Sequence, residues 1–203
     1  MNGAVPVRHA VALRRRPVDA VFIAFYAVNL LVVTYMIDLE QLVIPPQTNL
    51  AHLVYRTPPW PPGPVIDAVH WWGTHFDPLL MARPPFWRMT IWIDVLYFGP
   101  FYVFAIYAFI RGRNWIRVPA LVWAGMMTAN VLILMMEERF GEFASPHLPV
   151  VLSANAPWLL LALATIWRLR RDDPFDARQR VASAAGTAGT IPAPAEPSGT
   201  VPA

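Results

Sequence analysis

Asp94 lies inside an unbroken apolar run, Met89 to Ile110, that is long enough to cross a bilayer and gives packing alone no reason to hold a carboxyl group. A charged side chain near mid-membrane costs on the order of 2.5–3.5 kcal/mol even on lenient insertion scales, so such a residue faces a cavity or a partner and marks function. A cationic amine would supply the counter-charge. Helical spacing puts Thr90, Asp94, Phe98 and Phe101 on one stripe, and Pro100, which has no amide hydrogen, frees the carbonyl of Leu96 and kinks the run beside the acid. Trp123, Met127, Asn130, Leu134 and Glu137 form a comparable stripe; another run offers Tyr26, Asn29 and Thr34, and the last offers Ser153, Asn155 and Trp158 beside Pro157. Asn29, Asn130 and Asn155 fit a ligand chamber or, equally, interhelical hydrogen bonds worth under about 1 kcal/mol each. Asp38 ends the first run and Asp77 follows it in a connection, where water could satisfy either acid alone. Glu137, Glu138 and Glu142 read as facing headgroups or pairing with Arg139.

The elements that position these groups follow from composition. Hydrophobic residues make up 56% of the 203 and charged residues 14%, with mean hydropathy +0.41, values that point to an integral membrane protein with several spans. Four runs have the length and low charge of a span: about 18–37, 87–110, 118–136 and 150–167. The predicted fold is all-α, a four-transmembrane-helix bundle over residues 17–171, with a basic tail at 1–16 and a disordered tail at 172–203. The first run is too long for the apolar core of a signal peptide and carries no small-residue cleavage pattern. All 16 basic residues are arginine. Arg8, Arg14, Arg15 and Arg16 precede the first run, Arg111, Arg113 and Arg117 join the second to the third, and Arg168, Arg170, Arg171, Arg178 and Arg180 follow the fourth. Only Arg56, Arg83, Arg88 and Arg139 fall on the other side, so both termini are expected in the cytoplasm.

The pI near 9.7 then reflects topology and lipid contact, with no basic aromatic patch for nucleic acid. Absence of cysteine excludes disulfides and thiolate chemistry. No phosphate loop, dinucleotide fingerprint or Ser-His-Asp arrangement occurs, and His70 and His75 lack a second ligand pair, so neither cofactor nor metal is expected. The absence of lysine and the wealth of Ala, Arg and Pro suggest a bacterial cytoplasmic membrane. The long connection from Asp38 to Phe86 holds TPPWPPGP and then VIDAVHWWGTHFDPLL, which predicts a short amphipathic helix forming an extracytoplasmic lid, with Trp60, Trp71, Trp72 and Trp87 at headgroup level.

Four strings in order, IDLEQLVIP, FDPLL followed by PPFW, PFYVFAIYAFIRGRNWIRVPALVW and NAPWLLL, resemble the sigma-2 receptor branch of the EXPERA superfamily, which also includes the emopamil-binding protein, a sterol Δ8-Δ7 isomerase. The likeness runs from about residue 18 to 171. It implies a four-helix membrane bundle, often a homodimer, whose cavity opens to the bilayer and takes sterols and cationic amphiphiles. It also implies an amine contact at Asp38, support from Asp77, a third acid at Asp94, and cavity-lining roles for Tyr107, Trp123, Thr128, Asn130, Asn155 and Trp158. The isomerases move a proton with a His and a Glu one turn apart; the matching positions here are Asp94 and Phe98, so that shuttle lacks a member. The lysine-rich retrieval signal of the receptor branch is absent as well, and in a eukaryote the endoplasmic reticulum would be the alternative compartment.

The expected function is binding of a sterol-like, terpenoid or cationic amphiphilic ligand. The alternative is a membrane isomerase or terpenoid cyclase in which a protonated Asp94 or Asp38 is the general acid.

Overall fold

The computed structural model describes residues 10–49, 52 and 60–176; Arg8, Arg56, Arg178, Arg180, most of the two tails and the opening of the proline cluster lie outside them. Among the described residues four helices are long and apolar enough to cross a membrane: α1 (Pro17–Val43), α4 (Pro85–Arg111), α5 (Asn114–Phe140) and α6 (Leu148–Arg168). Between α1 and α4 the described residues include two shorter helices, α2 (Gly63–His75) and α3 (Pro78–Ala82). The architecture among the described residues is all-helical, as the hydropathy pattern predicts. The spans extend beyond the apolar runs that announce them. α1 passes through Asp38 to Val43, because Glu40 and Gln41 find partners inside the protein and need not leave the helix.

Prolines set the helix starts. Pro17, Pro64, Pro78, Pro85 and Pro149 each occupy a first-turn position, where a missing amide hydrogen costs nothing. Gly112, with φ 63, ends α4 in the left-handed region and turns the chain towards α5.

α1 packs along α4 and α5 along α6. An aromatic core joins the two pairs. Tyr26 has no exposure; its ring centroid lies 5.8 Å from those of Phe101 and Tyr102, 5.6 Å from Phe109 and 5.5 Å from Trp123. Its hydroxyl meets Thr165 Oγ1 of α6 at 3.2 Å, which satisfies the polar end of an otherwise apolar plug. Outward positions such as Leu31, Leu96, Phe104, Leu132 and Leu160 are exposed, as lipid-facing side chains should be.

Two of the long helices widen into π turns, Asn29–Asp38 in α1 and Asp94–Phe98 in α4. In α4 the cause is legible. The Gly99 amide reaches back to the Asp94 carbonyl, so the next amide in that register would serve Val95, but the next residue is Pro100. The Val95 carbonyl instead accepts from the Tyr35 hydroxyl of α1 at 3.3 Å. A Cβ on Gly99 would sit 2.5 Å from that hydroxyl, so any other residue here would push the Tyr35 ring off the Val95 carbonyl.

The arginine-rich end is bound together rather than loose. Arg16 and Arg168 both pair with Asp19, Arg117 Nε donates to the Leu169 carbonyl at 3.1 Å, and Asn114 bonds Asp176 and the Phe175 amide. The arginine pair holds Phe175 between guanidinium groups, each 5.0 Å from its ring centroid. Residues 172–176, assigned to the disordered tail on composition, therefore belong with the bundle up to Asp176.

Candidate functional site: buried acids between the spans

Asp38 closes the π turn of α1 and Asp94 opens the π turn of α4. Asp38 is 6% exposed and Asp94 half-buried, and the two carboxyl groups are near enough to interact electrostatically. Tyr102 lies within reach of both and of Trp123. Seven side-chain polar atoms are buried with no hydrogen-bond partner among the described residues: Asp38 Oδ2, Asp94 Oδ1, Trp123 Nε1 and Asn130 Nδ2, and, towards the lid, Glu40 Oε1 and both oxygens of Glu138. Nearly all buried polar atoms in native proteins are paired, and an orphaned one costs about 1–3 kcal/mol. Asp38 and Asp94, near enough to interact, each keep one such oxygen. Trp123 stacks on Phe101 at 5.3 Å, so its N–H edge, more than its ring face, is what it offers.

The other expected site residues are placed differently. Asp77 does not join Asp38. Its Oδ1 caps α3 by accepting from the Leu80 amide at 2.8 Å, and its neighbour is Glu138 of α5. Burial pushes the Asp77 carboxyl above its usual range, against the pull of that amide. Glu138 is 2% exposed with both oxygens unpartnered, which corrects the expectation that it faces headgroups. Thr128 donates to the Ala124 carbonyl at 2.7 Å and Asn155 to the Val151 carbonyl at 3.0 Å, each within its own helix. Trp158 Nε1 donates to Asn29 Oδ1 at 2.7 Å and ties α6 to α1. Tyr107 is 50% exposed: Ala105, Ala108 and Phe109 take the inward positions of that turn and leave it on the outer face. Two surface hollows, about 490 Å³ on α5 and about 330 Å³ at the start of α4, are lined by none of the three aspartates.

A second polar cluster escapes sequence reading altogether. Arg83, 7% exposed, donates to the carbonyls of Leu80, Gln41 and Ile44 and to Glu40 Oε2 at 3.2 Å. His70 lies 3.5 Å from Glu40 Oε1, and Trp87 Nε1 donates to Gln41 Oε1 at 2.7 Å. This network joins α1, α2, α3 and α4 at the lid. Ser145 adds a further tie by donating to the Phe76 carbonyl at 2.6 Å.

Four lipid-facing spans, buried acids at π turns and a docked lid describe an integral membrane protein with a polar interior. The family model for EXPERA (EXPanded EBP superfamily) matches residues 64–169, more than half of the chain, and the chain belongs to that family. It is similar to Sigma intracellular receptor 2 of Xenopus tropicalis, 31% identical over 121 residues, which are 59% of this chain and 63% of that protein. The proteins of the same name from Macaca fascicularis and Homo sapiens are each 26% identical over 80 residues, 38% of this chain and 46% of theirs. The chain thus spans between about half and under two thirds of the length of these curated relatives. No solved structure matches it.

Proposed function

We propose that this protein binds a sterol-like, terpenoid or cationic amphiphilic ligand within the membrane, its polar or amine head at Asp38 and Asp94 and its rings beside Tyr102 and Trp123. The observation that carries this reading is the set of orphaned polar atoms on Asp38, Asp94, Trp123 and Asn130. One cationic centre would answer both carboxyl groups at once. Asp77, held with Glu138 at the lid, supports the site from above, and Thr128, Asn155 and Trp158, whose polar groups have internal partners, form its wall. Both termini lie in the cytoplasm, at the arginine-rich end, in a bacterial membrane or the endoplasmic reticulum. A homodimer completes the reading.

The test is Asp38→Asn in detergent-purified protein titrated with a radiolabelled aminosterol. Removing one member of a desolvated charge pair costs about 2–5 kcal/mol, a loss of at least ~30-fold in affinity. The thermal midpoint should hold or rise, because Asp38 Oδ2 is buried without a partner among the described residues and the amide has no charge to desolvate. Unchanged affinity overturns the assignment. Turnover of a sterol or prenyl lipid that Asp94→Asn removes would replace it with the isomerase or cyclase.

A further inference from the structure

The hollow at the start of α4, about 330 Å³, is lined by Arg83, Pro85, Arg88, Met89 and Trp92. Its charges do not balance. Arg83 spends all but one of its five N–H groups on the Leu80, Gln41 and Ile44 carbonyls and on Glu40, so Glu40 answers its charge. Arg88 is exposed and makes no side-chain hydrogen bond or ion pair among the described residues, and it acts on Arg83 as a like charge.

Depth decides what could fill the hollow. Arg88 lies in the first turn of α4, at one end of a helix long and apolar enough to cross a membrane, and so belongs near the level where headgroups meet acyl chains. Met89 and Trp92 beside it are 58% and 43% exposed, an apolar wall turned to lipid. An uncompensated guanidinium next to an indole, at that level, suits an oxyanion carried on a greasy stem. An arginine that merely reaches to the surface needs no hollow, no second guanidinium and no apolar wall.

We propose that this hollow binds the phosphate of an anionic glycerophospholipid, with Arg88 holding the phosphate as a two-pronged donor, the remaining Arg83 N–H behind it, and Trp92 and Met89 against the glycerol and first acyl carbons. The site is separate from the buried acids and stands whether or not they bind an amine.

Native mass spectrometry of the detergent-purified chain, titrated with dioleoyl phosphatidylglycerol or with inorganic phosphate, tests it. Arg88→Gln should weaken phosphatidylglycerol binding about tenfold, while Arg139→Gln, an exposed arginine elsewhere, should change it by less than about twofold. Both variants should keep the wild-type thermal midpoint. Trp92→Ala should weaken the lipid and leave inorganic phosphate unaffected. Equal losses from Arg88→Gln and Arg139→Gln would reduce the effect to general surface charge and overturn the site. Displacement of the lipid by millimolar inorganic phosphate would overturn the lipid as its occupant.

Discussion

A single buried carboxylate, Glu40, shows how one residue can commit an entire helix end. With no exposure of its own, it depends on Arg83 at 3.2 Å for its counter-charge, while His70 Nδ1 lies 3.5 Å from its other oxygen. Burial works to lower the Arg83 pKa, and the Glu40 charge works against that. Breaking such a pair from one side strands the other charge. Arg83→Gln should therefore destabilise the protein by about 3–5 kcal/mol in thermal or denaturant unfolding, whereas the double variant Arg83→Met with Glu40→Met should recover most of the loss. Asp94 was legible because an acid in an apolar run cannot be overlooked. Glu40, Arg83 and Glu138 were not, because each looks like an ordinary helix-end charge until a partner from a distant segment is placed against it. Arg83 and Glu40 are 43 positions apart, a separation that no local spacing rule reaches.

At the scale of elements, the lid is held by contacts that respond to protons. Asp77 caps α3 while facing Glu138, and its folded pKa lies above the ordinary 3.8 through burial. A raised acid binds its proton more tightly when the lid is docked than when it is loose. Its contribution to docking is therefore complete below about pH 4 and is lost as pH rises through the folded value. Amide hydrogen exchange across α2 and α3, divided by the intrinsic rate of the unfolded chain at each pH, should become faster as pH rises above about 4. Asp77→Asn keeps an N-cap and should flatten that slope, leaving only what Glu138 contributes. The lid helix itself was readable from VIDAVHWWGTH. The π turns were not: a stripe drawn at 3.6 residues per turn assigns Thr90, Phe98 and Phe101 correctly to the buried face but assigns the lost hydrogen bond to Leu96, one residue from the Val95 carbonyl that Tyr35 meets.

On the scale of the molecule, hydropathy revealed four spans and the family resemblance their order, because bilayer crossing imposes length and polarity on every segment alike. Composition could not reveal that the arginine-rich face closes on itself. Phe175 has no exposure, stands edge-on to Phe109 at 5.2 Å, and lies between Arg16 and Arg168. Phe175→Ala should cost about 3 kcal/mol and free Arg16 and Arg168, visible as a lower thermal midpoint and earlier tryptic cleavage after either arginine. In the same clasp Ala10 pairs antiparallel with Asp176. With residues 1–9 and 177–203 removed, a short bridge from Asp176 to Ala10 would turn the bundle into a ring, and new termini could then be opened in the turn at Gly141–Ser145 without cutting a span.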